Sequence, residues 1–178
     1  MLAEEIVKEE DIINEHFIDD EQEEGTQDNK YLTFNISKEV YGIDIGDITE
    51  IIEMQKITEV PDMPKFVKGV INLRGKVIPV MDLRLRFNMQ ERECDDRTCV
   101  VIVKIKETSI GFIVDRVLEV VDIPDSDIDL PPQFKTVSGY ERYVTGIGKI
   151  GENVKILLDA QKIIHQEELD RLSNNIKK

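Results

Sequence analysis

The stretch GIDIGDITEII at residues 42–52 recurs without gaps as GFIVDRVLEVV at residues 111–121. A second pair of matching stretches follows in the same order, VIPVMD at 77–82 and VKILLD at 154–159. The first pair is 69 residues apart and the second 77, and the long loop at 122–142 accounts for the difference. A repeat of this kind indicates two similar structural units, which we expect to pack side by side and to share apolar surface.

Short segments rich in β-branched and aromatic residues make up most of the chain after residue 30. Ten of them have the length of a strand and are bounded by turn residues, which is typical of an all-β protein. They are YLTFNI, EVYGIDI, ITEIIEM, GVINL, KVIPVMDL, TCVVIVKI, IGFIVD, RVLEVVDI, YVTGIGKI and VKILLD. Pro79 lacks an N–H donor, so we expect its strand at a sheet edge or at a bulge. Residues 160–178 have the apolar spacing of a helix, and we expect a C-terminal helix there.

Acidic charge is concentrated at the N-terminus. Residues 1–30 contain twelve acidic and two basic side chains, which account for −10 of the net charge of −14. This composition predicts a flexible segment, although residues 2–18 have weak helical periodicity. A pI near 4.6 argues against nucleic acid and against anionic membrane surfaces as partners. There is no apolar run of 18 residues and no signal peptide, so we expect a cytoplasmic location without membrane insertion.

Neither a metal site nor a cofactor site is predicted. Cys94 and Cys99 lack the spacing of metal ligands, and the two histidines, His16 and His165, lie in polar segments outside the β region. The motifs of phosphate-binding loops, serine hydrolases and zinc proteases do not occur. We therefore expect no catalytic residue, no metal and no cofactor.

A carboxylate-dependent hydrolase is the enzymatic alternative. Asp44 with Asp47, or Asp82 with Asp159, are the candidates for an acid/base pair. Asp82 and Asp159 follow corresponding strands, however, and an aspartate in such a position commonly accepts hydrogen bonds from turn backbone. The structural interpretation of these aspartates is therefore favoured.

Arg74 lies beside Gly75 at a turn between two strongly apolar strands. A guanidinium group held at a turn is suited to binding a carboxylate through two hydrogen bonds. The alternative is an ordinary solvated turn residue, and the pattern of residues alone does not separate the two.

The first repeat and the stretch TEVPDMPKFVKGVINLRGKVIPVMDLRLRF at 58–87 together resemble the first half of the CheW family of chemotaxis coupling proteins. TCVVIVKI, IGFIVDRVLEVVDI, YVTGIGKI and VKILLD resemble its second half in order and spacing. The likeness covers residues 31–164 and implies an all-β fold of two intertwined five-stranded SH3-like β-barrels that share a core. It places the first barrel at about 31–90 and the second at about 98–160, with the chain crossing over between them.

The resemblance also implies a function. Proteins of this family are non-enzymatic scaffolds that link the cytoplasmic tips of methyl-accepting chemotaxis receptors to the regulatory domain of the histidine kinase CheA. The chain would be recruited to receptor arrays at the inner face of the membrane. An alternative on the same fold is an adaptor of another chemosensory pathway, such as pilus-driven motility.

Two sets of binding residues follow from the resemblance. An apolar groove between the barrels is expected to bind a receptor helix, with Glu50 and Arg74 as the polar pair associated with coupling. The groove residues are Ile45, Ile48, Glu50, Ile51, Arg74, Cys99 and Val120. The residues expected to contact the kinase are Lys68, Gly69, Gln133 and Phe134. The three isoleucines are three residues apart, so they can face one groove only if the strand breaks near Gly46.

Overall fold

The computed structural model describes residues 28–131 and 142–176. In these ranges the chain forms eleven strands and three short helices. The strands are β1 (Lys30–Ile36), β2 (Glu39–Asp44), β3 (Ile48–Glu53), β4 (Val67–Leu73), β5 (Lys76–Asp82), β6 (Cys99–Ile105), β7 (Thr108–Val114), β8 (Arg116–Asp122), β9 (Ile128–Asp129), β10 (Val144–Ile150) and β11 (Asn153–Leu158). The helices are α1 (Leu83–Arg86), α2 (Ala160–Ile163) and α3 (Gln166–Ile176). Each of the ten predicted segments forms a strand, and only the two-residue β9 was not expected.

The strands form two sheets that exchange strands between the halves of the chain. The five-stranded sheet has the order β3-β6-β7-β5-β4, and the six-stranded sheet has the order β8-β1-β2-β11-β10-β9. Each sheet is closed by the segment that follows one of its edge strands. Thr58, after β3, bridges to Val70 on β4, and β9, after β8, pairs with β10. The expected architecture of two intertwined barrels is confirmed, and the ranges 31–90 and 98–160 each contribute strands to both sheets.

The internal repeat appears directly in the register of the two sheets. Gly42 on β2 pairs with Leu157 on β11 in parallel, and Gly111 on β7 pairs with Val80 on β5 in the same way. These two pairs are related by the offsets of 69 and 77 residues found in the sequence. Glycine is needed at Gly111 because a Cβ there would lie 2.6 Å from Val100, and a Cβ at Gly42 would also be close, at 3.0 Å from the Leu157 side chain. The same offsets therefore identify equivalent positions in the two barrels.

A continuous core joins the barrels. One large cluster of buried side chains takes members from both sheets and from all three helices. Its fully buried members include Leu32, Phe34, Ile43, Leu83, Val101, Val103, Ile110, Phe112 and Ile163. A smaller cluster lies inside the five-stranded barrel and consists of Ile71, Ile78, Val80, Val100, Ile102 and Ile113. Burial of each such side chain contributes about 1.5–3 kcal/mol, so neither barrel is expected to be stable without the shared core.

Arg86, at the end of α1, lies where the two barrels meet. Its guanidinium group stacks on Phe66 at 4.3 Å and on Tyr143 at 5.1 Å, and these two aromatic residues are equivalent in the repeat. The same group donates to the Ile163 carbonyl oxygen (2.7 Å) and to both carboxylate oxygens of Glu168 (2.9 and 3.0 Å). The Arg86 side chain is only 8% exposed, so its charge depends on these partners.

The position expected for Pro79 is wrong. Its strand, β5, is an interior strand, and the register shift between β4 and β5 lies at Val67 and Gly69. The missing N–H is tolerated because Val70, opposite Pro79, pairs with Thr58 through its own N–H and C=O. On the other side of the strand, pairing with β7 begins only at Val80.

The C-terminal helix is present but is divided into α2 and α3. Ile164 between them is extended, with φ −117° and ψ 133°. The His165 N–H donates to the Glu168 carboxylate (2.9 Å), which caps the start of α3. Ile163 and Ile164 are both buried on either side of the break.

Candidate partner-binding site

The apolar residues expected in the groove are buried in the isolated chain. Ile45 is 0% exposed, Ile48 4%, Cys99 5% and Ile51 8%. Ile48, Ile51 and Cys99 belong to one core cluster, whereas Ile45 is buried outside it. A 3-10 turn at Ile45–Asp47 and a register shift between Ile48 and Glu50 interrupt the strand, which confirms the expected break near Gly46. A charged substitution at any of these four positions would therefore damage the core as well as any groove.

Val120 is the apolar residue of the expected groove that is partly accessible. It lies on β8, where it pairs with Leu32 of β1, and it is half-buried. Its inner side packs against the shared core, to which Ile48 and Cys99 also belong. Residues from both repeats therefore meet at this core, and Val120 is accessible at its surface.

Glu50 and Arg74 form an ion pair, as the sequence predicts. Glu50 lies on β3 and Arg74 at the turn between β4 and β5, so the pair joins opposite edges of the five-stranded sheet. Closure of the barrel brings these edges together. The Arg74 side chain is 71% exposed and that of Glu50 29%, so the pair is open to a partner from the Arg74 side.

The backbone at Arg74 has a conformation that favours glycine. Its φ is +53°, and Gly75 follows with φ +84°, while the Gly75 N–H donates to the Asn72 side chain (2.9 Å). Two consecutive residues with positive φ make the type of tight turn that suits a two-residue hairpin. At the equivalent turn of the other barrel, between β10 and β11, the position of Arg74 is occupied by Gly151, with φ +59°. Arg74 therefore occupies a site where glycine would fit at no conformational cost.

Lys68 and Gly69 are neighbours on β4 and have different structural roles. Lys68 forms an ion pair with Glu91, and this hydrogen bond raises the pKa of Lys68 and lowers that of Glu91. Gly69 has φ +146°, and a Cβ there would lie 2.2 Å from the carbonyl oxygen of Thr58. Gly69 is therefore needed for barrel closure. The other two expected kinase contacts, Gln133 and Phe134, lie outside the described residues.

The candidate acid/base aspartates have structural partners. Asp44, Asp82 and Asp159 each accept a hydrogen bond from a backbone N–H two residues on, at 2.8, 2.9 and 2.9 Å, at the start of the 3-10 turn, α1 and α2. Asp47 accepts from the Gln161 side chain (3.2 Å). Burial raises the pKa of both Asp47 and Asp82 above the usual value for an aspartate. The capping role predicted for Asp82 and Asp159 is confirmed, and the hydrolase alternative is not favoured.

One polar contact at the barrel junction was not predicted. Arg84 on α1 donates to Asp115, from Nε to Oδ1 at 2.8 Å and from Nη2 to Oδ2, and this bond raises the pKa of Arg84. At the equivalent place in the other barrel, Gln161 bonds to Asp47 and to the Lys104 carbonyl oxygen. The sequence offered a signal, since the arginines of LRLRF directly follow the capping residue Asp82.

The described residues contain neither a metal-ligand cluster nor a membrane-spanning helix. Within residues 28–131 and 142–176, no group of three His, Cys, Asp or Glu residues is arranged to hold a metal ion. The helices in these ranges are also too short or too polar to cross a membrane.

Comparison with known proteins identifies the family. The family model described as a CheW-like domain matches residues 30–168. The chain belongs to the CheW-like family. The chemotaxis protein CheW of Klebsiella aerogenes is 35% identical over 149 residues, which are 84% of this chain and 89% of that protein. The chemotaxis protein CheW of Thermotoga maritima is 34% identical over 137 residues, which are 76% of this chain and 87% of that protein.

A solved structure supports the same conclusion. The crystal structure of the scaffolding protein CheW from Thermoanaerobacter tengcongensis aligns with a TM-score of 0.72 and 35% identity. The alignment covers 79% of this chain and 94% of the other. This CheW-like chain is thus a chemotaxis coupling adaptor, in a family of scaffolds. The alternative of another chemosensory pathway is not favoured, because the similar proteins are chemotaxis proteins.

Proposed function

We propose that this CheW-like chain links the cytoplasmic tips of methyl-accepting chemotaxis receptors to the regulatory domain of the histidine kinase CheA. It acts in the cytoplasm, within receptor arrays at the inner face of the membrane, and makes or breaks no covalent bond. The family membership supports the class of partners, and the exposed Glu50–Arg74 pair supports the place where one of them binds.

The observation that carries this proposal is the conformation of Arg74. A non-glycine residue in the left-handed region costs about 1–2 kcal/mol relative to a relaxed backbone. The ion pair to Glu50 is largely exposed, and such pairs contribute only about 0–1 kcal/mol. The folded chain therefore gains little from an arginine at this turn. A partner that binds the guanidinium group would gain more binding free energy from it than the fold gains in stability.

The receptor contact that we propose is centred on Arg74, Glu50 and the exposed side of Val120. The buried residues Ile45, Ile48, Ile51 and Cys99 support this surface from below, and a receptor helix laid over it would make helix-in-groove contacts. We propose separately that the kinase is bound through Lys68, Gln133 and Phe134, with Gly69 shaping the backbone beside Lys68.

The chain can transmit a signal only if it binds two states of the array with different affinity. A ligand shifts an equilibrium by no more than its difference in binding free energy between the two states. A rigid pair of barrels that binds receptor and kinase together can produce such a difference. A conformational change at the receptor tip then alters the geometry of the kinase contact, and with it the binding free energy.

Replacement of Arg74 by glycine tests the proposal with little effect on the fold. We expect Arg74→Gly to keep the melting temperature within a few degrees, because the turn geometry suits glycine. Receptor-dependent activation of CheA should fall at least several-fold in an assay with receptor-containing membranes. The matched control is Lys106→Gly at the β6–β7 turn, where an exposed lysine has φ +56° and makes no ion pair in the described residues. The control should activate the kinase normally.

Two results would contradict the proposal. Normal kinase activation by Arg74→Gly would show that the arginine is not part of the coupling surface. Equal loss in Arg74→Gly and Lys106→Gly would show that hairpin stiffness or overall charge matters, and not the contact made by Arg74.

A further inference from the structure

A polar cleft of about 430 Å³ has no residue in common with the candidate site. It lies between the end of β1, the β1–β2 turn, residues 92–97 and the junction of β7 with β8. Three arginines line it, Arg92, Arg97 and Arg116, and we refer to it as the arginine cleft. In the other barrel, Gln161 is equivalent to Arg84 and bonds to Asp47 and to the Lys104 carbonyl oxygen.

Two of the three carboxylates in the arginine cleft already have partners. Asp115 accepts hydrogen bonds from Arg84 and from the Ser37 N–H (2.7 Å). Asp95 accepts from the Arg92 guanidinium group (2.7 Å) and from the Arg97 N–H (2.8 Å). The carboxylates of these two residues are therefore already paired with groups of the same chain.

The arginines of the cleft are paired less completely than its carboxylates. The guanidinium groups of Arg97 and Arg116 make no hydrogen bond and no ion pair within residues 28–131 and 142–176, whereas Arg84 and Arg92 are both paired. Asp96 is the remaining carboxylate in the lining, and it is exposed. Two unpaired guanidinium groups at one cleft, in a protein with a net charge of −14, form a place that attracts carboxylates.

We propose that the arginine cleft binds the acidic N-terminal segment of the same chain, residues 1–27, through Arg97 and Arg116. This segment contains eleven acidic side chains and one lysine, so it is the most negatively charged part of the sequence. Its carboxylates are the chemical group that two unpaired guanidinium groups bind best. The inference does not depend on which receptor or kinase the adaptor serves.

The covalent connection makes the interaction favourable. The N-terminal segment joins β1 at one end, and the cleft lies at the other end of the same strand, which at about 3.3 Å per residue is about 20 Å away. A random coil of 27 residues would have a root-mean-square extension of about 30 Å. The cleft is therefore within reach at an effective concentration in the millimolar range. Each exposed charge pair is weak, so the contact should depend strongly on salt.

A spin label on the 178-residue chain tests this proposal. Cys94 is exposed and lies in sequence between cleft residues Arg92 and Asp95, while Cys99 is buried, so a nitroxide reagent should label Cys94 selectively. We expect the label to broaden the amide NMR signals of residues 1–27 at about 50 mM salt. The broadening should fall at least two-fold in Arg97→Gln/Arg116→Gln and at 1 M salt. The control Lys56→Gln/Lys162→Gln removes the same charge elsewhere and should behave like the unmodified chain.

Replacement of Asp19, Asp20, Glu21, Glu23 and Glu24 by their amides tests the other partner without touching the barrels, and it should also abolish the broadening. Equal broadening in the Arg97→Gln/Arg116→Gln protein would overturn the proposal. A mixture of spin-labelled unenriched protein with unlabelled ¹⁵N protein distinguishes chains. Broadening in that mixture would assign the cleft to the segment of another copy, and it would overturn the proposal as stated.

Discussion

The two barrels share a topology but fill their interiors with different side chains. The five-stranded barrel is apolar inside, with Ile71, Ile78, Val80, Val100, Ile102 and Ile113. The equivalent positions of the six-stranded barrel are occupied by Gly148, Lys155, Leu157, Tyr31, Thr33 and Asp44. Only Leu157 among the latter is a large aliphatic residue. The five-stranded barrel therefore has the larger apolar interior, while in the six-stranded barrel Ile123 and Leu157 are buried beside Gly148.

Thr33 shows how the six-stranded barrel compensates. It is 1% exposed, and its hydroxyl group donates to the Glu119 carbonyl oxygen (2.7 Å) and accepts from the Glu119 N–H (3.2 Å). It thereby satisfies backbone groups where the register shifts between β1 and β8. The equivalent residue, Ile102, is fully buried among aliphatic side chains. The comparison teaches that one backbone plan can be stabilised by packing in one copy and by a buried hydrogen bond in the other.

The largest effect is expected at Arg86, where the two barrels meet. Arg86→Met leaves the partly buried Glu168 carboxylate without its ion-pair partner and with only the His165 N–H, so we expect a loss of about 3–5 kcal/mol in unfolding free energy. Urea unfolding followed by circular dichroism measures it. Arg86→Met/Glu168→Met should recover part of the loss, and the exposed Arg92→Met should change stability by less than about 1 kcal/mol. A loss below about 1 kcal/mol for Arg86→Met would mean that the barrels are joined by apolar packing alone.

Exchange of the equivalent residues Ile102 and Thr33 tests the two modes of stabilisation directly. Ile102→Thr places a hydroxyl group in an apolar core and removes buried volume, so we expect a loss of about 2–4 kcal/mol. Thr33→Val keeps the shape but leaves the Glu119 backbone without its partner, at a cost of about 1–2 kcal/mol. Both follow from denaturant midpoints. If Thr33→Val were neutral, the hydrogen bond would not be what stabilises the six-stranded barrel.

The two hairpin turns provide a smaller effect. Gly151→Arg copies the arrangement at Arg74 into the other barrel, and we expect it to lower stability by about 1 kcal/mol because φ is +59° there. The β10–β11 turn offers open space around Gly151, so steric overlap does not contribute. Thermal unfolding measures the change. A loss of 3 kcal/mol or more would show that this turn is constrained by more than its φ angle.

The smallest effect is expected at Asp47. Burial raises its pKa in the folded chain, so the folded state binds more protons than the unfolded state between the ordinary and the raised pKa. This group therefore favours folding at low pH, and the benefit is lost as pH rises through the raised pKa. Asp47→Asn should remove this dependence and raise stability at pH 7 by less than about 1 kcal/mol. Urea unfolding at pH 4.5 and 7, with Glu39→Gln as a surface control, measures it. A clear loss of stability at pH 7 would contradict the expected cost of the charge.

The sequence was sufficient to locate ten of the eleven strands of the described residues. Strand positions followed from runs of β-branched residues, since these runs are short and end at turn residues. The capping role of Asp82 and Asp159 and the pairing of Glu50 with Arg74 were also predictable, the first from local turn chemistry and the second with the help of the family resemblance. Pro79 was misplaced, because the pairing of a single backbone nitrogen depends on which strands lie on either side of it.

By itself, the sequence determines two repeated all-β units, because periodicity and turn chemistry are local properties of the chain. Only the tertiary structure decides that β1 and β2 join the sheet of β8 to β11, and that β6 and β7 join the sheet of β3 to β5. The parallel pairs at Gly42 and Gly111 make these connections. Burial is likewise decided by the tertiary structure. Ile48 and Val120 are both β-branched residues in predicted strands, yet the first is buried and the second half-exposed. The accessibility of a side chain depends on the neighbours that the whole fold brings to it.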